Sequence, residues 1–279
     1  MTTQLSLGYS PCPNDTFIFY ALTHGHIPLH NLQLSVPVLD DVETLNTWAL
    51  SAKLDITKLS FHALGHVRDS YSMLSSGAAL GRGCGPLLVA RNGSGPGKSD
   101  PSKWTIAVPG RYTTAALLLK LFLPTHEQKV FMRFDAVMRA VADGKVDGGV
   151  IIHESRFTYQ EYGLSCVQDL GVWWEQETGL PIPLGCIAAR KSFDQQVFQE
   201  ISAAVSASIG WAKAHPEKCS AYIKDHAREL DDKVIAGHVD LYVNDFSIDI
   251  GDEGRAAVKE LFARGREAGA FANAAQGGL

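Results

Sequence analysis

SLGYSPCPNDTFIFYAL, residues 6–22, shows how this chain is built. An apolar start runs into Ser10-Pro11-Cys12-Pro13-Asn14-Asp15-Thr16, and the strongly apolar FIFYAL follows. Two prolines around a cysteine supply no ladder N–H, so a strand cannot pass through them. Asn, Asp and Thr before an apolar run read as a helix N-terminus, with Asn14 or Asp15 as the cap. The unit is strand, rigid turn, helix.

The same alternation recurs along the chain and points to an α/β fold. LQLSVPVL (32–39) reads as a strand, Asp40 and Asp41 cap a helix with Val42, Leu45 and Ala49 on one face, and LDITKLS (54–60) is a strand ending in Ser60, a cap for the next helix. PLLVA (86–90) is a strand and NGSGPGKSDPSK after it a loop. WTIAV (104–108), KVFMRF (129–134) and DGGVII (147–152) then alternate with the helices TTAALLLKLFL and DAVMRAVADG. Two similar apolar strands, 86–91 and 185–190, bracket this middle series. The economical architecture has two lobes around a central cleft, with these two strands crossing between them as a hinge. The larger lobe is discontinuous, 1–91 and 185–279, and the smaller one is 92–184.

Composition sets limits on function. With 279 residues, 46% hydrophobic and 20% charged, the chain has ample core material. A net charge of −5 gives no basic field for nucleic acid. No apolar run reaches the ~18 residues of a membrane span, and MTTQLSLGYSPC lacks the basic and apolar regions of a secretory signal. Five cysteines, Cys12, Cys84, Cys166, Cys186 and Cys219, with no CxxC pair, argue against a disulfide framework or zinc cluster and for a reducing cytoplasm. The sequence leaves the oligomeric state open.

Ligands of open α/β sheets bind beyond the carboxyl ends of strands, beside helix N-termini. Four stretches fit: Ser10–Thr16, Thr57–Ser60, Arg111–Thr114 and His153–Arg156. A cleft between lobes would bring them together. His153 emerges from the strand end GGVII, either as a structural histidine or as a general base. Thr113-Thr114 opens a helix whose free N–H groups can hold a carboxylate. Lys58 is either a solvated lysine or an anion-binding one, and Arg111 and Arg156 are further cations near the cleft. Cys12 at a helix N-terminus could be a nucleophile, but with no histidine nearby in sequence a packing or ligand-contact thiol is the better reading. His62 and His66 have the i, i+4 spacing of metal ligands but lack the HExxH glutamate, so no metal site is expected. No GxGxxG or P-loop sequence occurs, and no cofactor is expected.

These blocks also carry a family likeness. SPCPNDTF, TKLSFHALG, GPLLVAR, PGRYTTA, GVIIHESRFTY, LPIPLGCIAARKSF and YVNDFSIDIGDEG run in order from residue 6 to 254 and resemble the 1,4-dihydroxy-6-naphthoate synthases of menaquinone biosynthesis. The resemblance implies a fold like type II periplasmic binding proteins. It implies a lyase whose small-molecule substrate is cyclic dehypoxanthinyl futalosine, releasing a three-carbon sugar fragment. It makes His153 the proton acceptor and Lys58, Leu59, Ser60, Thr113 and Thr114 substrate contacts. In such a cleft the prolines of SPCPNDTF are expected to fix a wall, Asn14 or Asp15 to cap the helix, and Ser10 and Cys12 to face the bound ring or sugar. Two other readings share the fold: a solute-binding protein without catalysis, and the sister enzyme chorismate dehydratase.

Overall fold

The computed structural model describes residues 3–30, 32–93, 100–228 and 231–271. The chain opens with β1 (Thr3–Leu5), β2 (Leu7–Tyr9), α1 (Pro13–Thr23), β3 (Leu32–Leu34), β4 (Val38–Leu39), α2 (Val42–Ala49), β5 (Ile56–Ser60), α3 (Phe61–His66), β6 (Tyr71–Met73) and β7 (Ala79–Gly81). A middle series follows: β8 (Leu87–Arg91), β9 (Ile106–Val108), α4 (Thr114–Phe122), β10 (Lys129–Phe131), β11 (Gly148–Ile151) and β12 (Leu164–Asp169). The chain returns through β13 (Ile182–Arg190) and ends in helices. No helix among the described residues is long and apolar enough to cross a membrane.

Two larger sheets result, one per lobe, beside the small parallel pair β1-β3. The outer sheet has the order β4-β2-β5-β13-β6, with β7 also on β13; the inner sheet has the order β10-β9-β11-β8-β12. In each, parallel strands meet an antiparallel partner: β2 runs parallel to β4 and β5, and β13 antiparallel to β5. Likewise β9 is parallel to β10 and β11, and β8 antiparallel to β11 and β12.

Three expectations need correction. The 32–39 run is two short strands, because Pro37 has no N–H to continue the ladder. The strand 86–91, assigned above to the larger lobe, is the fourth strand of the inner sheet. Neither it nor β13 pairs with both sheets; an apolar run shows that a strand is buried but not in which sheet. We propose instead that the lobes divide at the passages 82–86 and 179–181. There Gly85 and Gly171 pack backbone to backbone: a Cβ on Gly85 would sit 2.3 Å from the Gly171 Cα. Arg156 braces the crossing by donating from Nη1 to Gly85 O at 2.7 Å and from Nη2 to Asp169 Oδ2 at 2.6 Å. Asp169 in turn caps the helix Leu170–Thr178 through Gly171 N and Val172 N.

Each lobe has its own apolar cluster, and a third is shared between them. One apolar cluster contains Leu59, Leu64 and Phe262 of the outer lobe together with Val108, Leu117 and Leu118 of the inner one. Helix α4 packs against α3, β13 and the helix Gly251–Glu267. Beside it, Glu43 of α2 accepts hydrogen bonds from the backbone N–H groups of Arg111 and Tyr112. Gly110 is required there: its φ is +134°, and a Cβ would meet the Glu43 carboxyl carbon at 2.5 Å. Burial raises the Glu43 carboxyl above its usual range, and the Tyr112 and Arg111 N–H groups and Asn46 oppose the rise. Because this carboxylate ties one lobe to the other, Glu43→Ala should loosen the closed form. We expect ligand affinity to fall about 10-fold, the scale of losing charge-assisted hydrogen bonds, and small-angle scattering to show a larger radius of gyration. Unchanged affinity and radius would mean that the apolar cluster alone holds the lobes.

Candidate active site

The strand ends converge on a cavity with about 630 Å³ of empty space, part of it open to solvent. Its floor is polar and its walls, including Val42, Leu59, Pro86, Ile152 and Leu184, are apolar. That suits a planar ring carrying polar substituents.

The floor begins in the turn quoted at the outset. The N-cap of α1 is Cys12, with no side-chain cap, and Pro13 occupies the first turn. Asn14 and Asp15 therefore do not cap the helix as expected; their side chains are buried in a network. Asp15 Oδ1 pairs with Lys58 Nζ at 2.7 Å. Asp15 Oδ2 accepts from Ser10 Oγ at 2.6 Å, and Asn14 Nδ2 donates to Asp15 Oδ1 at 2.9 Å. Lys58 stands in a strand buried along its whole length, where a lysine needs a partner. Asp15 is that partner, which excludes the solvated reading of Lys58. Gly185 makes room: a Cβ there would lie 3.3 Å from Lys58 Cε.

Ser60 likewise does not cap α3 with its side chain. Asn46 fixes it instead, accepting from Ser60 N at 2.9 Å and donating to Ser60 Oγ at 3.0 Å. The Ser60 hydroxyl hydrogen is left for the cavity. Thr113 is the N-cap of α4, its Oγ1 accepting from Ala116 N at 3.2 Å. Thr114 Oγ1 donates to Leu184 O at 2.6 Å, bridging α4 to β13 across the lobes.

His153 lies just past β11 with a φ of +57°, a left-handed conformation uncommon for a non-glycine residue. Strain of this kind gathers at functional sites. Its ring lies 5.0 Å from Phe134, edge-on, and neither ring nitrogen has a hydrogen-bond partner among the described residues. Burial pushes the imidazole down to about 4; the Asp15 charge pulls it up and Lys58 pushes it down. It is a neutral imidazole at the cavity edge, without a hydrogen-bond partner among the described residues.

Ser10, Asn14, Asp15, Lys58, Leu59, Ser60, Thr113, Thr114 and His153 all line the cavity. Three residues named from the sequence do not. Arg111 is exposed and stacks on Phe131 at 4.9 Å, and Arg156 braces the lobe crossing. Cys12 is buried beneath the site, its thiol pushed well up by burial and by the Glu154 charge. Cys12, His153 and Glu154 place potential metal-ligand atoms within 4.8 Å of one another, but a thiol held protonated is a poor ligand at neutral pH. His62 and His66 bring their Nε2 atoms to 3.4 Å, and burial lowers His62 to about 4. His62 Nδ1 faces Thr113 O, so this pair supports the α4 N-terminus from behind.

Sequence reasoning missed Asn46, Cys84, His238 and Tyr242. His238 and Tyr242 stand i, i+4 on the helix Asp232–Tyr242, and both line the cavity. That spacing marks a shared face, the one signal available in the sequence.

Comparisons with known proteins bear on the family and the fold. A curated 1,4-dihydroxy-6-naphthoate synthase of Thermus thermophilus is 52% identical over 269 residues, covering 95% of both chains. One of Streptomyces coelicolor is 43% identical, covering 93% of this chain and 92% of its own. The crystal structure of protein AF1704 from Archaeoglobus fulgidus matches with a TM-score of 0.86 and 38% identity over 95% of this chain and 98% of that one. The aliphatic sulphonate binding protein SsuA of Escherichia coli matches with a TM-score of 0.66 at 14% identity, over 97% of this chain and 89% of its own, which shows the periplasmic-binding-protein-like fold alone. The family model described as menaquinone biosynthesis matches residues 5–267, and the chain belongs to that family.

Proposed function

We propose that this protein is a 1,4-dihydroxy-6-naphthoate synthase, a carbon–carbon lyase acting on cyclic dehypoxanthinyl futalosine in the cytoplasm. The observation that carries the reading is His153: a neutral imidazole with free nitrogens at the edge of a mostly apolar cavity. Losing the three-carbon sugar fragment requires a base to take a hydroxyl proton while the carbon–carbon bond breaks. The electron pair of that bond passes into the ring system, whose aromatisation supplies driving force. His153 is the base. Asp15 favours its protonated form, so the imidazolium is supported as it forms.

The ring carboxylate lies at the N-terminus of α4. The N–H groups of Thr114 and Ala115 precede the first intrahelical bond, which reaches Ala116 N, and the helix dipole favours an anion there. Ser60 Oγ adds a donor from the opposite lobe. Lys58 contributes through Asp15 rather than by direct capture of the carboxylate, because its ammonium is already paired. Ligand contact on both lobes then couples binding to closure, and closure excludes water.

The test is incubation of purified protein with the cyclic substrate and no added cofactor, followed by chromatography. Naphthoate should accumulate over many turnovers. Saturable binding without turnover would favour a solute-binding role, and turnover of chorismate instead would favour the sister dehydratase.

The proton acceptor also sets a pH dependence. A base must be neutral to act, and His153 in the empty site titrates at about 4 rather than 6.5. The acid limb of kcat/KM, which reports the free enzyme, should fall as pH drops through about 4 and be flat above ~5. A limb centred near 6.5 would show that the base is a solvated histidine.

A further inference from the structure

His238 is fully buried, and its ring lies 6.3 Å from that of His153 at an interplanar angle of 19°. Its Nε2 is 2.9 Å from Asn14 Oδ1. The Asn14 amide cannot be turned over, because its Nδ2 donates to the Asp15 carboxylate, which only accepts. Oδ1 therefore faces His238, and His238 Nε2 carries the proton. The other nitrogen, Nδ1, is left with a bare lone pair. It is inaccessible to solvent and has no hydrogen-bond partner among the described residues, on a side chain that lines the cavity.

Buried polar atoms are nearly always satisfied, and an exception asks for an explanation. Here the network behind the ring is complete. Ser10, Asn14 and Lys58 all converge on Asp15, and Asn14 links Asp15 to His238. What remains open is an acceptor, so its complement is a donor on the ligand. Burial keeps the ring neutral, with the charge of Lys58, and of His153 once protonated, acting in the same direction, so Nδ1 stays an acceptor. An imidazole with a fixed tautomer beside the base favours a hydroxyl near the reacting bond.

We propose that, on a small shift of the ring that opens Nδ1 to the cavity as ligand binds, His238 Nδ1 accepts a hydrogen bond from a hydroxyl on the sugar portion of the substrate, which makes His238 a specificity-determining residue. This rests on the synthase reading above. His238 orients the sugar, while His153 takes the proton. The carboxylate at α4 and the hydroxyl at His238 then fix the two ends of the ligand, and the bond to be broken is presented to His153.

Two substitutions separate the two nitrogens. His238→Gln keeps an amide able to reach Asn14 but removes the acceptor at the δ position. His238→Asn places an oxygen near the position of Nδ1 and loses the tie to Asn14. With the cyclic substrate, His238→Gln should lower kcat/KM about 100-fold, the scale of losing one hydrogen bond at the upper end of the ordinary range. His238→Asn should recover about tenfold of that loss. Affinity for 1,4-dihydroxy-6-naphthoate, which has no sugar, should stay within about twofold in both variants, and the acid limb near pH 4 should not move. Deoxy analogues that keep the hydroxyl deprotonated by His153, assayed on the wild type, test the same bond without a variant: one of them should lose about 100-fold in kcat/KM. Turnover by wild type with no loss in His238→Gln overturns the assignment alone. Parallel loss of naphthoate affinity does so too, because it makes His238 a wall of the ring site. Full activity on every deoxy analogue that keeps the reacting hydroxyl has the same consequence. Wild-type protein that never turns the substrate over overturns the synthase reading, and this assignment with it.

Discussion

His153→Asn should lower kcat by about 100-fold or more, the usual contribution of a positioned general base, with naphthoate affinity and thermal stability close to wild type. The separation follows from the geometry. The imidazole makes no hydrogen bond that the fold depends on, and its main ring contact is the edge of Phe134. Asn is also among the non-glycine residues that best tolerate the φ of +57°. A residue that is strained, unpartnered and desolvated does little for the fold, so its loss should appear in chemistry. Single-turnover assays with enzyme in excess over substrate would measure it. A kcat within a few-fold of wild type would remove His153 as the base.

Lys58→Met should produce the largest stability change. The Lys58 and Asp15 side chains retain 6% and 1% of their exposure, so the substitution leaves a carboxylate in the interior without its cation. Breaking a buried pair from one side costs about 3–5 kcal/mol. Ser10 and Asn14 still donate to Asp15, which favours the lower end of that range. The double variant Lys58→Met, Asp15→Asn should recover most of the loss, since it removes both charges. Denaturant titration of the three proteins checks this. A double variant no more stable than Lys58→Met would mean that the site depends on the lysine for something other than neutralising Asp15. Activity should stay low in the double variant even where stability recovers, because Asp15 also supports the protonated form of His153.

How far the sequence could be read depended on how local each feature was. The turn Ser10–Thr16, the strand end at His153 and the helix start at Thr113 are written in consecutive residues, so prolines, glycines and caps revealed them. The Asp15–Lys58 pair joins positions 43 apart, and the Asn14–His238 bond joins positions 224 apart. No local pattern records such pairings. For the same reason, Asn14 and Asp15 looked like helix caps when their side chains turn inward, and Ser60 looked like a cap when Asn46 holds it. The strand at Leu87–Arg91 read correctly as buried but was given to the wrong sheet, because burial on both faces erases the alternation that would orient it. Arg111 and Arg156 were credited with ligand contact for standing next to cleft residues in sequence. The turn beyond β9 and the helix Ser155–Thr158 direct them to Phe131 and to Asp169.

The central claim is that the substrate lies in this cavity with its sugar against His153 and its carboxylate at the start of α4. The most direct measurement is a crystal structure of the His153→Asn variant soaked with the cyclic substrate, in which slow turnover should leave the ligand intact. The account expects the ring between Leu59 and Leu184, the carboxylate within hydrogen-bond distance of the Thr114 and Ala115 N–H groups, and the sugar facing position 153. A ligand bound in the opposite sense, with its sugar at α4 and its carboxylate beside position 153, would contradict it.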